Sequence, residues 1–299
     1  MHSLRSYTSF FFMPTLGDSR FKNIIWTAWF SVFGIVVMNH GIPSFITALK
    51  ITGLSSSIAI FVYLLNDAMD SEFDKLNITK ANRPIPSGIA TKYHALQLSL
   101  LGGIIGISIA ITINTLVLLF TLIYMVLGFA YSVPPIQLKR RFLMKDITIA
   151  LALFLAIAIG ALSSGYIAPS IIYVSTYFII ISMTVSPTFY EALDEKEDRL
   201  YGCKTISLLL KQSRRLELAT LGLLAMMVTT PLTYRNFGFN MIFPILVCLS
   251  CLLFLRYVFP LTLSRDKLTQ KEMSKGSKYM QIFALIVQFA ILFGSLNIL

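Results

Sequence analysis

Charge is what this sequence has least of. Of its 299 residues, 13% are Asp, Glu, Lys or Arg, against about 25% in a soluble domain, and the mean hydropathy is +0.75. The shortage runs the length of the chain and excludes an ordinary water-soluble globule. Cysteine is scarce too. Cys203 stands between apolar runs, and Cys248 and Cys251 lie inside one, where a lone C-x-x-C is packing rather than metal or redox chemistry. His2, His40 and His94 have no ligand spacing. The apolar runs do not alternate polar with apolar residues, which excludes a membrane β-barrel. The first run starts late, follows Phe10, Phe11 and Phe12 and lacks a small-residue cleavage site, so it is not read as a signal peptide. Nothing marks a second domain, a low-complexity segment or a close repeat, and residues 1–299 are expected to form one domain.

What is present are apolar stretches such as 51–65, 96–113 and 116–130, each most of the roughly 20 residues that a helix needs to cross a bilayer. In lipid the backbone must satisfy its own hydrogen bonds, which makes these segments helices. The pattern predicts an all-α, polytopic membrane protein with nine spans, near 23–41, 44–65, 93–112, 115–131, 146–166, 171–190, 216–232, 239–258 and 279–298. The segment 264–277, with Arg265, Lys267, Lys271 and Lys275, reads as a loop before the last span, attracted to anionic headgroups. With nine spans, the loops after spans 2, 4, 6 and 8 share one face with the N-terminus, and they hold nearly all the Lys and Arg; the opposite loops hold little beyond Arg235. By the positive-inside rule the charged face is cytoplasmic and the protein a multi-pass component of the cell membrane. Topology thus accounts for the net charge of +11 without nucleic acid, and no obligatory protein partner is indicated.

The 14 acidic residues are not scattered. Asp67, Asp70, Glu72 and Asp74 follow span 2; Glu191, Asp194, Glu195, Glu197 and Asp198 follow span 6. Asp67/Asp70/Asp74 and Glu191/Asp194/Asp198 both stand at i, i+3, i+7, which on a helix is one stripe. Three carboxylates on a stripe repel one another, and a single acidic helix end is usually a solvated one. Two with the same spacing on one face point to a cation between them. Oxygen ligands suit Mg²⁺, which readily shares phosphate oxygens with a substrate, and Asn66 adds an amide oxygen. Lys80 and Arg83 follow the first trio, Lys204 follows the second, and Lys139, Arg140 and Arg141 lie between; such cations complete a diphosphate site. Arg83 and Lys139 are assigned to the site, and Arg141 and Lys145 to topology and headgroup contact.

These residues resemble the UbiA superfamily of intramembrane prenyltransferases. Asn66-Asp67-Ala68-Met69-Asp70-Ser71-Glu72-Phe73-Asp74 matches its N-D-x-x-D-x-x-x-D motif. Asn82-Arg83-Pro84-Ile85-Pro86-Ser87-Gly88 is similar to its N-R-P-I-P-S-G loop, and Tyr131-Ser132-Val133-Pro134-Pro135 with Lys139-Arg140 to its Y-S-x-P-P…K-R element. Asp194, Asp198, Gly202, Lys204 and Thr205 fit its second motif. The order is kept across residues 66–205. Two positions depart: Glu191 stands where Asp is usual, and Arg20-Phe21-Lys22-Asn23 lacks the proline of the R-P-x-N that opens the family's first helix.

The resemblance implies nine helices around a central cavity capped by cytoplasmic loops, with the prenyl chain in an apolar tunnel open toward lipid. It implies Mg²⁺ held by Asn66, Asp67, Asp70, Asp74, Glu191, Asp194 and Asp198, and a diphosphate bound by Asn66, Arg83, Ser132, Lys139 and Lys204. Asp67, Asp70, Asp194 and Tyr131 are the expected catalytic residues. Ionisation of a prenyl diphosphate leaves an allylic cation, which a dry cavity protects and aromatic faces stabilise. Tyr63, Phe129, Tyr131, Phe189 and Tyr190 stand near the right helix ends, and Tyr131 lies in a matched motif. The expected activity is transfer of the prenyl group to a lipophilic acceptor, either an aromatic ring of a quinone precursor or a hydroxyl such as that of geranylgeranylglyceryl phosphate. Terpene cyclisation without an acceptor is the alternative on the same scaffold. A transporter is the remote one, since mid-span charge is scarce beyond Lys50.

Overall fold

The computed structural model describes residues 12–76, 80–264 and 268–296. His2, Phe10, Phe11, Arg265 and Lys267 of the reading above lie outside them. Among the described residues, nine helices are long and apolar enough to cross a membrane. They are α1 (Phe12–Asn39, bent at Gly17), α2 (Phe45–Leu76), α3 (Lys92–Ile111), α4 (Thr115–Ser132), α5 (Met144–Leu162), α6 (Pro169–Phe189), α7 (Gln212–Phe237), α8 (Ile242–Ser264) and α9 (Gln270–Ser295). Local signals set several ends. The Thr91 hydroxyl accepts from the His94 N–H and starts α3; the Asn114 side chain accepts from the Val117 N–H and starts α4. Pro134 and Pro135 follow the end of α4, as the loss of backbone donors requires.

Two boundaries differ instructively from the hydropathy reading. Helix α2 does not stop where its apolar run does. It continues through the first acidic cluster for 32 residues, about 48 Å at 1.5 Å per residue, whereas the hydrocarbon core is about 30 Å thick. The carboxylates therefore ride on a rigid extension of the span. Helix α9 starts at Gln270 rather than near 279, behind a capping box in which Thr269 and Glu272 satisfy each other's backbone donors. Lys271 and Lys275 are thus helical, and the Lys275 ammonium lies over the rings of Tyr257 and Tyr279 at 5.7 and 5.6 Å.

In the first half of the bundle, α2 packs on α1, α3 and α4, and α5 packs on α1 and α4. In the second, α7 packs on α8 and α8 on α9; α5 with α6, and α1 with α6 and α9, join the halves. One crossing is closer than any side chain allows. A Cβ on Gly34 would lie 2.0 Å from the Ile157 carbonyl oxygen, and one on Gly160 would lie 1.7 Å from that of Ser31. Glycine at both positions lets α1 and α5 meet backbone to backbone, and the Ser31 hydroxyl donates to the Ala156 carbonyl at 2.8 Å. Toward the charged end the same two helices flank a cavity.

Candidate active site

That cavity holds about 370 Å³ and is mostly apolar. Arg20, Asn66, Tyr131 and Tyr190 line its mouth; Trp26, Phe30, Tyr124, Leu153 and Ala156 line its depth. Above the mouth stand both acidic clusters, drawn together by the segments that follow α2, α4 and α6.

The first cluster is presented as the spacing predicts. Asp67, Asp70 and Asp74 are all buried on α2, and each faces a cation. Arg20 pairs with Asp67 through two guanidinium nitrogens, with Nε donating to Oδ2 at 2.9 Å. Lys139 pairs with Asp70 and donates to the Asn66 amide oxygen at 3.3 Å, which also accepts from the Ser132 hydroxyl at 3.2 Å. Arg83 reaches Asp74 at 3.0 Å and Asp67 at 3.6 Å. Lys139 is only 4% exposed, so its charge is held in place by these partners rather than by water.

The second cluster is not a single helical stripe. Pro187 lacks the N–H that would bond to the Met183 carbonyl, and its ring crowds that carbonyl. The helix widens into a π-turn over Ile181–Val185, tightens to 3₁₀ over Glu191–Asp194 and restarts at Glu195–Leu200. Asp198 is buried and pairs with Lys145 at 2.7 Å. Asp194 is exposed. Glu191 turns away from the cavity: it accepts from the Ser186 hydroxyl at 3.2 Å and meets Asp146. Burial, then the hydrogen bond with Asp146, holds its carboxyl well above the ordinary carboxylate range. Asp146 in turn accepts from the Ile206 N–H at 3.1 Å. The signal for this break was Pro187, four residues before Glu191.

Other placements also change the sequence reading. Lys145, assigned to topology, is in the site on Asp198. Arg141 is exposed, with Nε donating to the Ile136 carbonyl at 2.8 Å. Lys204 is exposed, and its backbone carbonyl accepts from the Leu143 N–H at 2.9 Å, tying two loops together. Phe189 is buried against Phe254 and Tyr257, and Phe129 is 46% exposed; neither lines the cavity, whereas Tyr63, Tyr131 and Tyr190 do. Sequence reasoning did not single out Tyr201 or Arg215, and it met Arg20 only as the start of the altered R-P-x-N element. The Arg20 guanidinium sits 5.4 Å over the Tyr63 ring. Tyr201 donates its hydroxyl to Asp74 and packs edge-on against Phe73 at 5.6 Å. Lys80 lies over the Tyr201 ring and pairs with Glu197. Burial, then the neighbouring Arg83, pushes the Lys80 ammonium down to about 8. Arg215 of α7 bonds the Pro187 carbonyl at 2.9 Å and Glu195 at 2.7 Å, bracing the irregular turn.

Known proteins share this arrangement of sequence and fold. The sequence model of the UbiA prenyltransferase family matches residues 26–284. The chain belongs to this family. Its relatives include a digeranylgeranylglyceryl phosphate synthase of Sulfolobus acidocaldarius, 29% identical over 283 residues, which cover 93% of this chain and 96% of that protein. A homogentisate phytyltransferase of Synechocystis is 29% identical over 160 residues, half of each chain. Among solved UbiA structures, one concerning a digeranylgeranylglyceryl phosphate synthase superposes with a TM-score of 0.76 at 20% identity, over 95% of this chain and 98% of that one. A UbiA homologue from Archaeoglobus fulgidus, bound to DMAPP and Mg²⁺, superposes with a TM-score of 0.67 at 18% identity, over 94% and 99%. The protein is thus a multi-pass membrane prenyltransferase of the UbiA fold.

Proposed function

We propose that this prenyltransferase moves a geranylgeranyl group from its diphosphate to the hydroxyl of a prenylated glyceryl phosphate, with Mg²⁺ as cofactor and the acidic face cytoplasmic. One observation carries the reading: two acidic clusters with interleaved cations close over the mouth of an apolar cavity. The donor set fits Mg²⁺, since it is oxygen only. Asp67, Asp70, Asp74, Asp194 and Asp198, with the Asn66 amide oxygen, would hold it. Among the described residues no three acidic, His or Cys side chains converge ready for a metal, because each buried carboxylate of the site faces Arg20, Arg83, Lys139 or Lys145 instead. Glu191 contributes through Asp146, by holding the segment that carries Asp194 and Asp198.

Bound there, Mg²⁺ supplies neutralising charge to the leaving diphosphate. The chain does the rest. Arg20, Arg83 and Lys139 present fixed donors where phosphate oxygens need them. Tyr63 and Tyr131 line the cavity, where their rings would stabilise the allylic cation. The apolar walls would hold the prenyl chain and exclude water until the acceptor hydroxyl oxygen bonds the allylic carbon that the diphosphate has left, the hydroxyl proton passing to the released diphosphate. The glyceryl phosphate acceptor is favoured because relatives named for that synthesis include ones that align over 93% of the chain, against 64% for a 4-hydroxybenzoate octaprenyltransferase and 50% for the phytyltransferase.

The test is turnover by the purified protein, given geranylgeranyl diphosphate and Mg²⁺ with geranylgeranylglyceryl phosphate, with 4-hydroxybenzoate, or with no acceptor. Ether product and diphosphate release should require the first acceptor and disappear with EDTA. A cyclic terpene in the acceptor-free arm, or an aromatic product, overturns the assignment.

A further inference from the structure

We infer that a groove between α2 and α3, at the end of the bundle opposite the acidic clusters, binds an anionic membrane lipid, with the lipid phosphate on Lys50 and one hydrocarbon chain along the groove. Nothing in this depends on the prenyl transfer site. Lys50 is the charge within a span that the proposed chemistry leaves unused. It lies about 25 Å from Asp67 along the uninterrupted α2, at 1.5 Å per residue. In a hydrocarbon core about 30 Å thick, that places it near the far surface. Its side chain is exposed, and it has no carboxylate partner among the described residues, whose Asp and Glu all stand at the other end of the bundle. The Lys50 ammonium donates to the Thr112 carbonyl, at the end of α3, at a long 3.5 Å. An ammonium has three protons to donate, so two are left for a ligand, and the counter-charge has to come from outside the chain.

The groove suits a lipid rather than a free anion. It holds about 610 Å³, and most of the residues lining it are apolar. Helices α2 and α3 touch where a Cβ on Gly102 would lie 2.9 Å from the Ser57 carbonyl oxygen. One turn nearer Lys50, a Cβ on Gly53 would meet nothing closer than the Ile109 side chain at 3.6 Å. The space between the helices opens there, and the small side chain of Ser108 keeps it open on α3. From Thr112 to Ile104 the α3 wall runs about 12 Å. Its polar end, Lys50 and Thr112, is at the membrane surface. Its apolar end, with Ile104 and Ile105 54% and 43% exposed, points to the midplane. A lipid of that leaflet has the same polarity, head outward and chain inward.

The experiment places the full chain in nanodiscs of phosphatidylcholine that contain a trace of phosphatidylglycerol or phosphatidylcholine carrying a photoreactive diazirine in one chain. Label in segments 45–60 and 100–112 is then quantified by mass spectrometry. In the wild type the phosphatidylglycerol probe should label these segments about fivefold more than the phosphatidylcholine probe, the factor that one lysine near the surface supplies. Lys50→Gln keeps an amide donor for the Thr112 carbonyl and removes the charge, so it should bring the two probes level. Ser108→Phe fills the groove and should lower labelling by both. Both positions face outward, and Lys50→Gln decides alone if Ser108→Phe does not fold. Equal labelling by the two probes in the wild type, or an undiminished preference in folded Lys50→Gln, overturns the site. Unchanged labelling in folded Ser108→Phe, or loss of the preference to inorganic phosphate at the probe's own concentration, removes the chain from the groove and overturns it as well.

Discussion

Replacing Gly160 with alanine tests the backbone contact between α1 and α5. The added methyl would sit 1.7 Å from the Ser31 carbonyl oxygen and 2.6 Å from its carbon. Both atoms are main chain and neither can rotate aside, so α1 and α5 must part by more than an ångström. Overpacking of this kind costs about 1–3 kcal/mol. Loss of the Ser31–Ala156 hydrogen bond adds about 0.5–1.5 kcal/mol. Alanine returns up to about 1 kcal/mol of helix propensity relative to glycine. The net expectation is a destabilisation of about 2 kcal/mol. Gly53→Ala is the control, since its methyl would meet nothing closer than the Ile109 side chain at 3.6 Å, and it should be neutral or slightly stabilising. The assay is unfolding of the purified protein by SDS titration in mixed micelles, followed by tryptophan fluorescence. Gly34→Ala strains the same contact, so the double variant should lose less than the sum of the singles, because parting the helices once relieves both. Equal stability of Gly160→Ala and Gly53→Ala, or full additivity of the pair, refutes the interlock.

Lys139→Met should lower stability by about 3–5 kcal/mol, the cost of leaving a buried carboxylate unpaired, and Lys139→Met with Asp70→Asn should recover most of it; unfolding of the three proteins in one detergent decides this. Tyr201→Phe should raise the Mg²⁺ concentration needed for half-maximal turnover, because Asp74 loses the donor that orients it, while the Phe73 packing and the melting temperature stay nearly unchanged. Glu191→Gln should be tolerated and Glu191→Ala should not, since glutamine keeps the donor that the protonated acid offers Asp146. The sign in pH follows. The folded state holds that proton more tightly than the unfolded chain, so stability falls as pH rises above the ordinary carboxylate range, and Glu191→Gln should flatten that slope in a pH series of melting temperatures. Loss of Mg²⁺-dependent turnover in Glu191→Gln without loss of stability would instead make Glu191 a ligand.

Much of this protein was readable from one dimension because the bilayer simplifies the problem. Among the described residues, nine apolar runs became nine helices, because lipid offers the backbone no other partner. Basic loops and acidic clusters fell at one end because every second connection shares a face. The 0, 3, 7 spacing of Asp67, Asp70 and Asp74 placed them correctly on α2, because an uninterrupted helix converts spacing directly into direction. The same inference did not hold for Glu191, Asp194 and Asp198, because Pro187 breaks the register first and spacing has no meaning across a π-turn.

By itself, then, the sequence determined the span count, the shared face and the oxygen-rich chemistry of the site, all of which depend on local composition and helical period. Only the tertiary structure decided which cation meets which acid. Arg20 reaches Asp67 across 47 residues and Lys145 reaches Asp198 across 53, and no local pattern encodes such distances. It also decided where two helices touch. Gly34 and Gly160 look like any glycines in an apolar run until α1 and α5 cross at them.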